Sequence, residues 1–231
     1  MLRDRPVVAI DGPAGAGKST VARRLAARLG FTLVDTGALY RSVALAAKRA
    51  GIAWDDEDAV TTVARQVVAS RSLELLPDKD KGVRVLLHGE DVSDAIRAPD
   101  MGMGASRVSA IGGVRDALFE LQRIAGERGG VVLEGRDIGT VVFPDAEVKF
   151  FLTASAEVRG KRRYDELVAR GESVDYQKTL EDVRTRDHKD TMRPIAPLRQ
   201  ADDAMLIDSS DRAIDDVVEE MTAKVSARGG S

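Results

Sequence analysis

One stretch decides the fold, residues 6–19, which read Pro6-Val7-Val8-Ala9-Ile10-Asp11-Gly12-Pro13-Ala14-Gly15-Ala16-Gly17-Lys18-Ser19. Its first five residues form a short apolar run, which is typical of a strand buried on both faces of a sheet. Glycines then interrupt the run, and residues 18–29 place apolar side chains at helical spacing. The order of strand, glycine-rich loop and helix, with the pattern G-x-x-x-x-G-K-[ST], predicts a loop that binds a chain of phosphates.

Each part of this loop has a chemical reason. The glycines let backbone N–H groups turn inward around phosphate oxygens, and the start of the helix adds partial positive charge. Lys18 can reach the β- and γ-phosphates of ATP, and the Ser19 hydroxyl can bind Mg²⁺. An ordinary glycine-rich turn with a solvent-exposed Lys18 is the alternative interpretation. The predicted ATP-binding residues of the loop are Gly12, Pro13, Ala14, Gly15, Ala16, Gly17, Lys18, Ser19 and Thr20.

Four further short apolar runs alternate with helical segments along the chain. This alternation predicts an α/β fold of the phosphate-loop NTPase type, with a parallel five-stranded sheet and helices on both of its faces. Asp55 is expected to cap a helix that ends at residue 68, and Ser209 or Ser210 to cap the last helix. The four runs lie at residues 31–34, 131–133, 148–152 and 204–207.

Two regions interrupt the plain alternation of strands and helices. Residues 72–87 have the pattern of an antiparallel hairpin with a polar turn at residues 77–82, and residues 156–200 are helical and rich in arginine. We therefore divide the single chain into a core and two inserted regions. The core covers about 5–40, 110–155 and 201–227, the first insert about 38–109, and the second about 156–200.

The composition excludes several classes of protein. With 43% hydrophobic and 32% charged residues, the chain resembles neither a disordered nor a membrane protein. A net charge of −3 and 4% aromatic residues argue against nucleic-acid and membrane partners. The absence of cysteine excludes disulfides and thiolate metal sites. The apolar run before Asp11 is too short for a signal peptide, so we expect a cytoplasmic protein, and we expect a monomer.

Polar segments follow the predicted second and third strands, where a parallel sheet binds its ligands. They read DTGALYR at residues 35–41 and LEGRDIGT at residues 133–140. A GTPase would need an N-K-x-D guanine reader, which the sequence lacks. Glu134 could serve as the strand-closing acid of a motor ATPase, but the chain is too short for a second ATPase module. Small kinases remain, in which a second substrate accepts the γ-phosphoryl group of ATP.

The motifs taken together resemble bacterial cytidylate kinase. The set comprises GPAGAGKST, DTGALYR, EGRDIGTVVFPDA, an arginine-rich segment and RPIAPL, in this order from residue 6 to about residue 218. The resemblance implies the reaction ATP + CMP → ADP + CDP, also with dCMP, and Mg²⁺ as cofactor. It also implies that the region of about 38–109 binds the nucleoside monophosphate and that the region of about 156–200 is a mobile lid.

The resemblance further implies roles for individual side chains. Arginines from the lid would contact ATP, and these are Arg159 and Arg162. The catalytic set would be Lys18, Arg41, Arg136, Arg162 and Arg163. The CMP-binding set would be Thr36, Arg41, Ser106, Arg115, Arg136, Asp137, Arg186, Asp190 and Arg193.

The members of the CMP-binding set match different parts of the nucleotide. Arg41 and Arg136 would clamp the phosphate. Asp137 and the hydroxyl of Thr36, where the family has serine, can accept a hydrogen bond from the amino group that distinguishes cytosine from uracil. Arginines 115 and 193 can donate to the ring acceptors O2 and N3, whereas positions 106, 186 and 190 match the family's pentose-binding positions.

Other interpretations remain open from the sequence. Another small phosphate-loop kinase could act on UMP or a small molecule, and a non-catalytic module could sense nucleotides without turnover. At the level of single residues, Arg41 could pair with Asp35 or Asp55, and Asp137 could simply pair with Arg136. The adjacent arginines at 162 and 163 could form an ordinary solvated helix face.

Overall fold

The computed structural model describes residues 3–78 and 82–228. Its strands, in chain order, are β1 (Val7–Asp11), β2 (Thr32–Asp35), β3 (Leu73–Asp78), β4 (Gly82–Leu87), β5 (Glu90–Asp91), β6 (Val131–Glu134), β7 (Val148–Thr153) and β8 (Met205–Asp208). Its α-helices are α1 (Lys18–Leu29), α2 (Thr36–Arg49), α3 (Glu57–Ala69), α4 (Met101–Val108), α5 (Gly112–Gly126), α6 (Ala156–Ala169), α7 (Tyr176–Met192) and α8 (Ile214–Arg228). A 3₁₀ turn at Ala95–Arg97 and a π-helical turn at Ile138–Val142 complete the list.

The main sheet has five parallel strands in the order β2-β6-β1-β7-β8, which confirms the predicted parallel sheet. The inner strands β1 and β6 are buried along their whole length, as their uninterrupted apolar runs require. Their register aligns the strand ends, so that Glu134 lies opposite both Ile10 and Asp35. The residues that follow β1, β2 and β6 therefore meet at one edge of the sheet.

Helices cover both faces of this sheet. On one face, α1 and α8 pack against apolar side chains such as Val8, Val132 and Phe150. On the other face, β1 and β6 pack against the π-helical turn and Phe143. Gly30 ends α1 in the left-handed conformation with φ 61°, a backbone region that glycine enters without strain.

The predicted hairpin is present as a separate antiparallel sheet in the order β3-β4-β5, and residues 79–81 of its predicted turn lie outside the described residues. Helices α2 to α5 share an apolar core with this sheet. The arginine-rich region forms a hairpin of two helices, α6 and α7, which pack on each other. Within the described parts of the chain, the helices are all too short or too polar to cross a membrane.

Two predicted helix caps are wrong. Helix α3 is capped by Asp56, whose carboxylate accepts a 3.1 Å hydrogen bond from the Ala59 backbone N–H, and not by Asp55. The last helix begins at Ile214, four residues beyond Ser210. The Ser210 hydroxyl instead donates to Asp208, and Ser209 turns toward the loop after β1. The first error arose because Asp55 and Asp56 have equal capping chemistry and only the backbone conformation chose between them. The second arose because both serine hydroxyls bind groups outside the helix.

Candidate active site

A cleft of about 1240 Å³ opens at the carboxyl edge of the main sheet. The loop between β1 and α1 lies on one side of it, and the region around the small antiparallel sheet lies on another. The helical hairpin α6–α7 also lines it. All three predicted regions of the chain therefore contribute side chains to one cavity.

The loop between β1 and α1 is built for close approach of the backbone. A Cβ atom on Gly12, where φ is 148°, would lie 1.9 Å from the carbonyl oxygen of Leu152, so only glycine fits there. The Lys18 side chain is only 6% exposed, and its ammonium group donates 2.7 Å hydrogen bonds to the carbonyl oxygens of Gly12 and Pro13. Lys18 is thus not the solvent-exposed lysine of the alternative interpretation. Burial, together with repulsion from Arg136, lowers its pKa.

An acidic side chain lies directly beside this loop. The Ser19 hydroxyl donates a 2.9 Å hydrogen bond to Oε2 of Glu134, which is 4% exposed. Burial, together with repulsion from Asp35, raises the pKa of Glu134 to about 7. Its other oxygen, Oε1, is buried and has no hydrogen-bond partner among the described residues. An unpaired carboxylate oxygen next to a serine hydroxyl is the donor chemistry that Mg²⁺ prefers, so these residues fit that ion.

Across the cleft, a carboxylate is held between two arginines. Asp137 is 5% exposed, and it pairs with Arg115 on one side and with Arg193 on the other, where Nη2 lies 3.3 Å from Oδ1. Arg136 does not pair with Asp137, so that alternative is wrong. Thr36 begins α2 beside this group and donates a 2.7 Å hydrogen bond to the carbonyl oxygen of Glu134. The result is a buried polar pocket with acceptors and donors arranged together.

A second group of arginines lies between this pocket and the phosphate-binding loop. Arg41 pairs with Asp35 at 2.6 Å, and Arg136 pairs with Asp190 at 3.0 Å. Arg186 approaches Asp190 at 4.0 Å. Burial, together with repulsion from Arg136, lowers the pKa of Arg186 to about 10. The Nε atoms of Arg41 and Arg186 are buried without hydrogen-bond partners among the described residues, so both can donate to a bound anion.

The predicted lid arginines differ in their surroundings. Arg159 is buried, and its guanidinium binds both carboxylate oxygens of Asp187 and the carbonyl oxygens of Ala154 and Ala14. Arg162 donates to Ser209, at 2.7 Å to its carbonyl oxygen and at 3.2 Å to its hydroxyl.

Arg163 pairs with Glu166 and lines the cleft. The solvated helix face that the sequence left open is therefore wrong for Arg162, which is tied to the end of β8.

Comparison with known proteins identifies the family. A family model described as cytidylate kinase matches residues 8–227. The chain belongs to the cytidylate kinase family. It is 54% identical over 222 residues to the cytidylate kinase of Syntrophotalea carbinolica, covering 96% of this chain and 92% of that protein. It is 49% identical to the cytidylate kinase of Pseudomonas aeruginosa strain UCBPP-PA14, over 97% of this chain and 96% of that protein.

A solved structure supports the fold alone. It is the structure of an uncharacterized protein from Eubacterium ventriosum, with a TM-score of 0.52 at 13% sequence identity. The alignment covers 97% of this chain and 100% of that one. The architecture of the cytidylate kinase family is therefore shared with a protein of very different sequence.

The cleft of this cytidylate kinase family member brings the predicted side chains together. All nine residues of the predicted CMP-binding set line it, including Ser106 on α4, as do residues 14–20 and the arginines at 162 and 163. Gly12, Pro13 and Arg159 do not line it. Gly12 and Pro13 accept hydrogen bonds from the Lys18 ammonium, and Arg159 donates to the carbonyl oxygen of Ala14. The roles of the individual residues remain predictions.

Several side chains of this site lie outside the predicted set. The sequence suggests Glu134 only as the strand-closing acid of an ATPase and Asp35 only as a partner of Arg41. Asp11 closes β1 in the same way, so an acidic residue at a strand end beside the glycine-rich loop was the available signal. Ser209 follows β8 and contacts both Arg162 and the carbonyl oxygen of Ala16, whereas the sequence marks it only as a candidate helix cap.

Proposed function

We propose that this protein transfers the γ-phosphoryl group of ATP to the phosphate of CMP or dCMP, giving ADP and CDP or dCDP. The observation that carries the proposal is the buried Asp137, held between Arg115 and Arg193 beside Thr36, in the same cleft as the phosphate-binding loop. Such a pocket suits a base with both donor and acceptor groups. The cytidylate kinase names of its relatives agree with this assignment.

The transfer itself requires no nucleophilic side chain. A phosphate oxygen of CMP, already ionised at neutral pH, attacks the γ-phosphorus of ATP, and the bond from that phosphorus to the bridging oxygen of ADP breaks. Catalysis then consists of alignment and charge neutralisation. The Lys18 ammonium, which lies on the loop carbonyls of Gly12 and Pro13, neutralises charge on the β- and γ-phosphates.

The side of the cleft that binds ATP also has residues that fit a cation. Ser19 and Glu134 would hold Mg²⁺, which supplies further neutralisation of phosphate charge when it is bound. The hydrogen bond from Ser19 to Glu134 keeps the hydroxyl oriented toward this position. Oε1 of Glu134, which is buried without a hydrogen-bond partner among the described residues, would be available to such a cation.

The acceptor phosphate is held by arginines. Arg41 and Arg136 clamp it, since their carboxylate partners leave other N–H groups of each guanidinium free to donate. Arg186 adds a third positive charge within the same wall of the cleft. The pentose lies near Asp190, Arg186 and Ser106. From the other side, Arg162 and Arg163 approach the transferred group when the lid closes and excludes water.

Hydrogen-bond acceptors in the pocket select the base. The Thr36 hydroxyl has a single proton, which it donates to the carbonyl oxygen of Glu134. Toward the pocket it can therefore only accept, which suits the amino group of cytosine and disfavours the carbonyl of uracil. Asp137 is a second acceptor, and Arg115 and Arg193 present donors to O2 and N3 of the ring.

The proposal retains the predicted organisation of the chain. The core is about 5–40, 110–155 and 201–227, the region that binds the monophosphate is about 38–109, and the lid is about 156–200. The protein acts as a cytoplasmic monomer, with ATP, CMP and dCMP as its partners. Neither nucleic acid nor a membrane takes part.

The test is an ADP-release assay with CMP, dCMP, UMP and AMP as acceptors, each with Mg²⁺ and with a chelator. We expect turnover with CMP and dCMP that greatly exceeds that with UMP and AMP, and loss of turnover with the chelator. Equal turnover with UMP would favour a kinase with a broader range of acceptor nucleotides. Binding of both nucleotides without ADP release would favour a sensing module.

A further inference from the structure

Asp11 joins the phosphate-binding loop to the segment that carries Asp137. It is the last residue of β1 and directly precedes Gly12. Its two carboxylate oxygens each accept one hydrogen bond from consecutive backbone N–H groups, at 2.8 Å from Ile138 and at 2.7 Å from Gly139. The carboxylate therefore acts as a bidentate clamp on the peptide that follows Asp137.

The clamped segment is also held from its other end. The backbone N–H of Gly135 donates a 3.0 Å hydrogen bond to the carbonyl oxygen of Ile10. Residues 135–139 thus attach to the end of β1 on both sides of Arg136 and Asp137. These three hydrogen bonds connect the backbone of residues 135–139 to the end of β1. Within the segment itself, the carbonyl oxygen of Asp137 accepts hydrogen bonds from the backbone N–H groups of Val141 and Val142, at 2.9 Å and 3.2 Å, so the turn that carries Asp137 is tied to β1 as one unit.

The close contact depends on the packing around the carboxylate. Asp11 is 4% exposed, and a Cβ atom added to Gly139 would lie 3.4 Å from its Oδ2 and 3.1 Å from Cδ of Lys149. Burial raises the pKa of Asp11 to about 6, against the effect of the two N–H donors. The charge of Asp137 raises this pKa further, and that of Lys18 lowers it. At neutral pH the group is ionised and presents two acceptors, as the clamp requires.

We infer that Asp11 is a positioning residue for base selection, which fixes Asp137 relative to the phosphate-binding loop through the backbone N–H groups of Ile138 and Gly139. The inference rests on the proposed function, because it concerns the choice between CMP and UMP at that same site. Asp11 is buried and does not line the cleft. Its effect on the reaction is transmitted by the peptide backbone.

The decisive variant is Asp11→Asn. The amide keeps the size of the side chain, but one of its ends now donates, so it opposes one of the two backbone N–H groups. We expect the ratio of kcat/KM for CMP to that for UMP to fall about tenfold or more, since small displacements of a positioned group have large effects on rate. We expect the substitution to raise KM for CMP more than KM for UMP.

The matched control is Glu147→Gln. Glu147 directly precedes β7 and accepts a 2.8 Å hydrogen bond from the backbone N–H of Val7 at the start of β1, so the control makes the same change from carboxylate to amide at the other end of β1. It should leave the ratio at the wild-type value. Thermal unfolding of both variants separates loss of folded protein from loss of selectivity. If Asp11 has only a structural role, its substitution lowers stability but leaves the ratio of kcat/KM for CMP and UMP unchanged.

The outcomes are distinct. A wild-type protein that does not prefer CMP contradicts the proposed function itself. A wild-type preference that Asp11→Asn leaves unchanged overturns the inference about Asp11 and leaves the proposed function standing. If Asp11→Asn does not fold, Asp11→Glu decides, because it keeps the charge and both acceptors but its additional methylene group displaces the peptide of residues 138–139. A narrowed ratio in Asp11→Glu supports the clamp, and an unchanged ratio overturns it.

Discussion

Ser19 and Glu134 are separated by 115 positions in the sequence, yet the hydroxyl of the first donates a 2.9 Å hydrogen bond to the carboxylate of the second. The contact joins the first turn of α1 to the end of β6. It arises because β1 and β6 are neighbours in the parallel sheet, so the loop that follows β1 lies over the end of β6. The phosphate-binding loop and its acidic partner are therefore set by one strand pairing.

Lys18→Ala should lower kcat by more than about a hundredfold, since electrostatic stabilisation of this kind contributes about 3 kcal/mol or more. The fold should survive, because the ammonium contacts only loop carbonyl oxygens. The measurement is ADP release with CMP, together with circular dichroism. Lys48→Ala, which removes an exposed lysine paired with Asp100, is the control and should retain wild-type turnover. Near wild-type activity of Lys18→Ala would contradict the phosphate-loop assignment.

The stability of the metal-free protein should depend on pH through Glu134. Its pKa is raised from 4.5 to about 7, so the folded state holds a proton that the unfolded state releases between these values. The contribution of this carboxyl group to stability is then fully present below about pH 4.5 and is lost as the pH rises through 7.

The measurement for this prediction is urea unfolding at pH 4.5 and pH 8. Between these pH values, Glu134 should lower the free energy of unfolding of the wild type by an amount on the order of 1–3 kcal/mol. Glu134→Gln should not show this decrease. Asp11 contributes a loss of the same sign in both proteins, because its pKa is also raised. Glu120→Gln, at an exposed carboxylate of α5, should behave as the wild type. The same pH dependence in Glu134→Gln and in the wild type would show that Glu134 is not the responsible group.

Asp137→Ala should lower kcat/KM for CMP far more than for UMP. A polar site that the wrong ligand leaves unpaired can discriminate by up to about 10⁴-fold. The substitution also leaves Arg115 and Arg193 without their shared carboxylate, so Asp137→Asn is needed to keep the volume of the pocket. Both variants should narrow the preference for CMP. Equal proportional loss with the two nucleotides would mean that Asp137 does not read the base.

Thr36→Val should narrow the same preference more weakly, because it removes a neutral acceptor and not a charged one. Thr36→Ser is the matched control, since it keeps the hydroxyl that donates to the carbonyl oxygen of Glu134. We expect the serine variant to keep the wild-type ratio of kcat/KM for CMP and UMP. If Thr36→Ser narrows the ratio as much as Thr36→Val does, the change in selectivity comes from packing and not from the hydroxyl.

The region of about 156–200 should exchange its backbone amide hydrogens faster without nucleotides than with ATP and CMP. Its arginines repel one another and the arginines of the core until phosphate neutralises them. Burial, together with repulsion from Arg136, lowers the pKa of Arg186. Its links to the rest of the protein include Arg170, which donates a 2.9 Å hydrogen bond to the carbonyl oxygen of Arg97 in the first insert. Helix α8 serves as an internal control. Equally slow exchange with and without both nucleotides would argue against a lid.

Much of the fold could be predicted because its signals are local. The glycine positions and the apolar run before them specify strand, loop and helix within fourteen consecutive residues. The five strands of the main sheet were located to within one or two residues. Helix ends were less certain, since Asp55 and Asp56 have identical capping chemistry and the last helix begins beyond both candidate serines.

The sequence by itself determined the phosphate-binding loop and the parallel sheet, because local backbone preferences and apolar spacing specify them. The side chains that line the cleft were implied by the resemblance of the motifs to cytidylate kinase. Only the tertiary structure decided which charges pair. Asp137 binds Arg115 and Arg193 and not the adjacent Arg136, and Asp11 clamps a peptide more than a hundred residues away. Such pairings, and the buried environment that shifts the pKa values of Lys18 and Glu134, depend on distances between strands that no local pattern encodes.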